Sequence, residues 1–304
     1  MASRRKAFSM MSSKDLKMQR ELERCRLVVD RRLAEFFTQR ENYDVLLEAM
    51  RYSLTAGGKR IRAAICMKFC EASGGEIELA LDAACAIEML HTYSLIHDDL
   101  PCMDDDDMRR GKPSNHIKFG EFTATLAGDA LQAAAFETLL SSGLPSSTLV
   151  EMGRVLAAAA GPHGICAGQY LDMRDKPLGM SELMDIHNRK TAALISAAAK
   201  IGVLAAQGNE EQVIAAGCYA NAVGLVFQAR DDVLDATATA DELGKPIGSD
   251  RKNDKTTFAT IMGLRECNEF IRVKTENAVA ALGGKFDDAG FLTWLAWMLA
   301  ERKY

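Results

Sequence analysis

Paired cysteines, long apolar runs and an excess of positive charge are missing from this chain of 304 residues, and proline is scarce. Its 8 cysteines stand at 25, 66, 70, 85, 102, 166, 218 and 267, and no two are spaced Cys-x-x-Cys. That argues against the common zinc and dithiol motifs. The thiols are expected to be reduced, in a reducing compartment. No uninterrupted apolar stretch reaches the ~18 residues needed to cross a bilayer, so no membrane span is expected. The net charge of −5 argues against a general nucleic-acid binder. Only 6 prolines occur. There is no linker rich in Gly, Ser and Pro, no low-complexity tract, no strict repeat and no period-two alternation longer than four residues.

What is present is helix-forming and apolar. Hydrophobic residues make up 48% of the chain, and Ala, Leu and Met are abundant. The economical reading is one all-helical domain over residues 15–304. A basic start precedes it, with Arg4, Arg5, Lys6, Lys14 and several serines and no acid before Asp15. That start weakly resembles a transit peptide; the reading taken is a flexible N-terminus on a cytoplasmic protein. Periodicity predicts helices over about Asp15 to Phe37, Tyr43 to Thr55, Lys59 to Glu71, Glu76 to His97, Ile117 to Leu140, Ser146 to Ala160 and Gly164 to Met173. It continues with Glu182 to Ala206, capped by Ser181, then Glu210 to Leu234, Thr256 to Leu282 and Asp287 to Arg302. A polar loop is expected over Ala236 to Asp254.

The charge pattern is the informative part. Asp98, Asp99, Asp104, Asp105, Asp106 and Asp107 put six carboxylates within ten residues, and Arg109-Arg110-Gly111 follows. Such carboxylates repel unless a cation neutralises them. Oxygen-only donors favour a hard ion, Mg²⁺ before Zn²⁺. The arginines point to an anionic partner of that metal, most simply phosphate. A second long apolar helix also ends in acid, at Asp231, Asp232 and Asp235. Asp231 and Asp235 share a helical face; Asp98 and Asp104 need the bend at Pro101 to meet. Facing each other, the two helix ends could hold several Mg²⁺ ions bridged by a diphosphate. Gly57-Gly58-Lys59-Arg60-Ile61-Arg62 starts a helix with glycines and cations, a pattern suited to an anion. Read alone, a solvated basic turn is the lesser alternative for it, and Lys190, Thr191, Gln228, Lys245 and Lys255 are each more often surface than site.

Together these residues resemble the trans-isoprenyl diphosphate synthase family, which includes farnesyl and geranylgeranyl diphosphate synthases. The resemblance runs from about Tyr43 to the end. It rests on Gly-Gly-Lys-Arg-Ile-Arg at 57–62, Asp-Asp-x-x-x-x-Asp at 98–104, Arg109-Arg110-Gly111, Lys190-Thr191, Gln228-x-x-Asp-Asp-x-x-Asp, Gly244-Lys245 and Asp254-Lys255-Thr256. The usual Pro after the first basic motif is Ala63 here, and the Gly-Asp expected soon after the second aspartate motif is absent; Ala238-Thr239 stand near its place.

The resemblance implies an all-α bundle of roughly ten or more helices around a central apolar cavity, and a homodimer. It implies Mg²⁺-dependent 1′-4 condensation of isopentenyl diphosphate with an allylic diphosphate. Asp98, Asp104 and Asp231 resemble the metal ligands, supported by Asp99, Asp232 and Asp235. Arg109, Lys190, Thr191, Gln228, Lys245 and Lys255 match the allylic diphosphate site. Gly58, Lys59, Arg62, His91 and Arg110 match the metal-free isopentenyl diphosphate site. A terpene cyclase would not need that second site, and a non-catalytic partner subunit tends to lose an aspartate motif.

Product length should depend on the residues below Asp98. Tyr93 is five residues earlier, about 7.5 Å along the axis, with Ser94 one nearer. A tyrosine there should block long chains, as aromatic residues near this position do in the family. Farnesyl diphosphate is therefore the expected product, with geranylgeranyl diphosphate the alternative.

Overall fold

The computed structural model describes residues 13–174, 179–237 and 256–303. The expected loop from residue 238 on, with Lys245 and Lys255, lies outside the described residues, as do the first twelve. The rest is helix, apart from one two-residue hairpin.

The chain opens with α1 (Ser13–Leu33), α2 (Asp44–Leu54) and α3 (Ile61–Ala72). A 3₁₀ turn, Ile77–Ala80, leads into α4 (Leu81–Asp98). The strands β1 (Met108–Arg109) and β2 (Lys112–Pro113) pair antiparallel after the acidic cluster. Then come α5 (Asn115–Phe119), α6 (Glu121–Leu140), α7 (Ser146–Ala160) and α8 (Ile165–Asp172). Next are α9 (Met180–His187), a π turn (Asn188–Ala192) and α10 (Ala193–Ala205). The long α11 (Glu210–Thr237), α12 (Phe258–Met262), α13 (Leu264–Ala281) and α14 (Gly290–Glu301) complete the chain.

Three expected helices are broken, each for a local reason. Gly120, at φ 84°, separates α5 from α6, and Gly263, at φ 79°, separates α12 from α13. Both take the left-handed conformation that ends a helix. The helix expected over Glu182 to Ala206 is interrupted by the π turn. Its start also needs correcting: it begins at Met180, Gly179 is the cap residue, and Ser181 lies inside the first turn with no capping bond. The side-chain cap is found instead at Thr257, which accepts a bond from the Thr260 backbone in a reciprocal capping box.

The core is continuous along α3, α4, α6 and α10. α4 packs along α6, and α10 lies against α3, α7 and α11. Ile65, Met67, Phe69, Ile87, Met89, Leu90, Leu131 and Tyr219 are fully buried there. Two spans, Ile77–Asp98 and Glu210–Thr237, are long and apolar enough to cross a membrane, but 67% and 56% of them is buried inside the protein. They are core helices whose C-terminal ends carry the aspartates. Small residues set the spacing around the π turn. A Cβ at Gly168 would stand 2.2 Å from the Lys190 backbone nitrogen, and one at Gly224 would stand 2.4 Å from the Ala192 Cβ. The π turn therefore sits wedged between α8 and α11.

Arg60 ties the N-terminal helices together. Its guanidinium is buried and donates to Asp30 of α1 (2.8 Å), Glu88 of α4 (3.0 Å) and the Leu54 carbonyl of α2 (2.7 Å). Glu88 is itself 2% exposed. Removing one partner of a buried pair costs about 3–5 kcal/mol, because the other charge is stranded. Arg60→Met is thus expected to destabilise the protein by about that amount. Lys59→Met, on an exposed side chain, should cost below about 1 kcal/mol. Urea denaturation midpoints of the two variants would check this; equal midpoints would refute the anchoring role of Arg60.

Candidate active site

The acidic end of α4 folds back on itself. The Asp104 backbone N–H donates to the Asp98 carbonyl at 2.8 Å, and the Leu100 carbonyl accepts from Met103 and Asp105 at 2.8 and 3.2 Å. The turn around Pro101 thereby returns Asp104 to Asp98. Asp98 is half-buried, and Asp104 is exposed. Burial raises the Asp98 carboxyl to about 6, aided by the neighbouring Asp104 and Asp99 and opposed by Lys190 and Arg109.

Asp99 points the other way. It is 2% exposed and accepts from Arg109 Nε at 2.9 Å and again from Nη2. Arg109 also reaches Asp106 at 2.9 Å. At the second acidic end, Asp232 is buried and accepts the Phe258 backbone N–H at 2.6 Å. Asp99 and Asp232, expected as supporting ligands, are each engaged by a protein donor in this metal-free geometry. Their visible partners are protein donors: Asp99 orients the arginine, and Asp232 docks the start of α12 onto α11. Asp98, Asp104, Asp231 and Asp235 keep surface outward.

The π turn joins the two aspartate ends. Lys190 Nζ pairs with Asp172 Oδ2 at 2.6 Å and lies in the field of Asp98 and Asp104. Its neighbour Thr191 donates to Gln228 Oε1 at 2.9 Å, one turn before Asp231 on α11. A helix register with one extra residue turns consecutive side chains onto faces that a regular helix would not offer; such turns recur at functional sites. Asp172 escaped the sequence reading because a lone acid on a short helix carries no spacing signal. Gln169 escaped for the same reason. It is buried, and neither end of its amide has a partner.

The cations group apart from the acids. Arg110 Nη1 donates to the Gly57 carbonyl, and a Cβ at Gly58, at φ +133°, would stand 3.1 Å from the Arg110 guanidinium carbon. Only glycine permits that approach. Arg62 Nη1 lies 3.4 Å from His91 Nε2. Burial lowers the pKa of both Arg62 and Arg110, and that of His91 falls well below its ordinary value through burial and the surrounding arginines. His91 is therefore neutral. Gly58, Arg62, His91 and Arg110 thus form one cluster, in which two guanidinium groups repel and an anion would be welcome, whereas Lys59 lies in the fields of Arg302 and Asp231.

Tyr93 leans toward α6 and α8 while staying in the field of Asp98. Five residues correspond to a rotation of about 140° around the helix. Its hydroxyl lies 3.7 Å from Cys166 Sγ of α8 and hydrogen-bonds Gln132 of α6, and its ring meets His97 edge-on. Ser94 and His91 share the Asp98 face instead, and Ser94 donates to the His91 carbonyl at 3.0 Å.

Comparison with known proteins identifies the family. The family model for polyprenyl synthetase matches residues 43–285. The large subunit 1 of the chloroplastic heterodimeric geranylgeranyl pyrophosphate synthase of Arabidopsis thaliana is 47% identical over 268 residues, covering 84% of this chain and 72% of that protein. Chloroplastic geranylgeranyl pyrophosphate synthase of Capsicum annuum is 45% identical over 245 residues, 79% of this chain and 66% of its own. Among solved structures, an FPP/GFPP synthase from Zymomonas mobilis superposes with a TM-score of 0.85 at 32% identity, over 94% of this chain and 99% of that one. The geranylgeranyl pyrophosphate synthetase of Geoglobus acetivorans gives 0.83 at 31% identity, with the same coverage. With an all-helical fold, two aspartate helix ends and these relatives, the chain belongs to the polyprenyl synthetase family and is a prenyltransferase, a trans-isoprenyl diphosphate synthase.

Proposed function

We propose that this chain condenses isopentenyl diphosphate with an allylic diphosphate, 1′ to 4, and extends the product to geranylgeranyl diphosphate. The observation that carries the reading is that the chain builds two charge clusters of opposite sign. The acid-rich ends of α4 and α11 suit a diphosphate that arrives with metal; Lys59, Arg62, His91 and Arg110 suit one that arrives without.

The donor set fits Mg²⁺. Among the described residues, no three His, Cys, Asp or Glu side chains stand close enough to hold a cation alone. Mg²⁺ commonly takes one or two carboxylates and completes its shell with substrate phosphates and water. Asp98 and Asp104 on one side, and Asp231 and Asp235 on the other, would hold it. When bound, Mg²⁺ supplies positive charge to the departing diphosphate. The protein supplies the rest. Arg109 and Lys190 face the same leaving group, with Lys245 and Lys255 proposed beside them from the sequence, and stabilise the charge that grows as the allylic C–O bond breaks. The Thr191–Gln228 pair holds the π turn against α11. Arg62 and Arg110 position the second substrate so that its double bond meets the allylic cation. No side chain is an evident base, and the released diphosphate is the acceptor proposed for the proton lost.

Product length follows from the Tyr93 placement and from the relatives' names. With the tyrosine turned toward α6 and α8, the small Ser94 sits beneath Asp98, which supports geranylgeranyl over the farnesyl product expected from sequence. Incubation with isopentenyl and dimethylallyl diphosphates and Mg²⁺, then dephosphorylation and chromatography, should give mainly the C20 alcohol. Ser94→Phe should shift most product to C15, and Tyr93→Ala should leave the length unchanged. A wild-type enzyme that stops at C15 and lengthens on Tyr93→Ala would restore the farnesyl reading.

Asp98 makes metal binding sensitive to pH. Its carboxyl, raised to about 6, is ionised at pH 7–8 and protonated below. Protonation removes a ligand, so affinity should fall as pH drops through 6, by about tenfold per unit once the carboxyl is mostly neutral. Titration of Mn²⁺ in the presence of inorganic diphosphate between pH 5 and 8 would measure it. An affinity that is flat across that range would exclude Asp98 as a ligand.

A homodimer, with each chain as a single domain, is the assembly we favour. Phe122 and Leu126 are 76% and 49% exposed one turn apart on α6, with Ile117 at 52% beside them. An apolar patch of this kind marks an interface. The Arabidopsis relative is named a heterodimeric subunit, so pairing with a different chain is the second reading. Light scattering of the purified chain should give twice the monomer mass, and Phe122→Glu should halve it. A monomeric wild type would favour the second reading. The relatives' chloroplastic names weigh toward an organelle rather than the cytoplasm, consistent with the acid-free basic start.

A further inference from the structure

Arg302 lies just past α14 and belongs to none of the family's motifs quoted above, yet it enters the site. Its Nη2 pairs with Asp231 Oδ1 at 2.6 Å and donates to the Phe227 carbonyl at 2.8 Å. Its guanidinium carbon stands 3.9 Å above the Phe227 ring, and its side chain is only 10% exposed. The main chain is fixed as well, since Arg230 Nε donates to the Arg302 carbonyl at 2.9 Å. α11 thus holds Arg302 by an ion pair, a ring face and two carbonyl bonds, all within the five residues Phe227 to Asp231.

We propose that Arg302 is a resident counter-cation of the second aspartate motif, competing with the divalent metal for Asp231. The inference rests on the metal reading above. Two cations cannot share one carboxylate at contact distance without strong repulsion, so metal arrival must displace the guanidinium. Three features make displacement feasible. Asp231 is 45% exposed, so the pair is partly screened by water. Arg302 Nε is buried without a hydrogen-bond partner, so the group is incompletely satisfied where it lies. The Arg230 bond retains the main chain while the side chain moves. Lys59 already lies in the field of Arg302, so the displaced charge stays near the basic motif that Lys59 belongs to. Because the guanidinium binds Asp231 only in the metal-free protein, it weakens metal binding by the strength of that pair.

The test uses the full chain, Mn²⁺ and inorganic diphosphate, with binding read by the paramagnetic resonance signal of free Mn²⁺. Arg302→Gln should bind Mn²⁺ about two- to fivefold more tightly than wild type, the range expected of a partly exposed pair. Arg302→Lys, which keeps the cation, should stay within about twofold of wild type. Arg154→Gln, whose arginine on α7 is 75% exposed, is the control and should not change. Unchanged or weaker binding by folded Arg302→Gln would overturn the competition and leave the metal reading standing. No binding by any of the proteins would overturn both. If Arg302→Gln fails to fold, Phe227→Leu loosens the same guanidinium by removing its ring, and should also tighten Mn²⁺ binding; failure to do so would equally overturn the proposal.

Discussion

Each charged motif in this protein spends one member inward. Arg60 is buried against Asp30 and Glu88, while Lys59 and Arg62 on either side remain for ligand. Asp99 is buried against Arg109, while Asp98 and Asp104 face the site. Asp232 is buried under the start of α12, while Asp231 and Asp235 turn outward. A loop of like charges is a poor structural element by itself, because its members repel. An inward member with its own partner converts that loop into a rigid corner. The remaining charges then stand at fixed positions without the ligand having to organise them, which is the condition for electrostatic catalysis.

This division explains what the sequence reveals and what it hides. The long helices were legible because their apolar residues recur at helical spacing and their ends carry glycine or acid. The breaks at Gly120 and Gly263 were marked too, but each continues into apolar pattern, so periodicity bridged them. The π turn was invisible: Asn188 to Ala192 contains nothing that forbids a regular helix, and its geometry comes from Gly168 and Gly224 pressing on it from two sides. Ser181 looked like a cap, yet the chain starts the helix a residue earlier, because local capping preference is a small term beside the packing of α9.

Within the site, residue type was legible and direction was not. Adjacent aspartates read identically in a string, and only the fold separates Asp98 from Asp99 by the ~100° between consecutive helical residues. The depth of Tyr93 along the axis was legible from counting; the direction of its side chain, toward Cys166 and Gln132, was not. Arg302 carried no signal, since one arginine near a chain end has no spacing to reveal its partner.

The outward charges leave the ligand-free protein with two unmet demands of opposite sign. Arg62, Arg110 and neutral His91 form a cluster whose own pKa values fall, so each added positive charge is unfavourable there. Asp98 responds in the opposite sense, its carboxyl rising as neighbouring acids and burial resist ionisation. The chain cancels the charges only in part: Arg302 pairs with Asp231, Lys190 pairs with Asp172 in the field of Asp98 and Asp104, and Lys59 lies in the field of Asp231. Cancelling them in full would satisfy the protein and leave nothing for substrate. On the proposed function, keeping them apart holds electrostatic energy in reserve, which a metal–diphosphate on one side and a bare diphosphate on the other would release. The inward anchors make that tolerable: folding is secured by the paired, buried members, so the exposed members are free to remain unbalanced until substrate arrives.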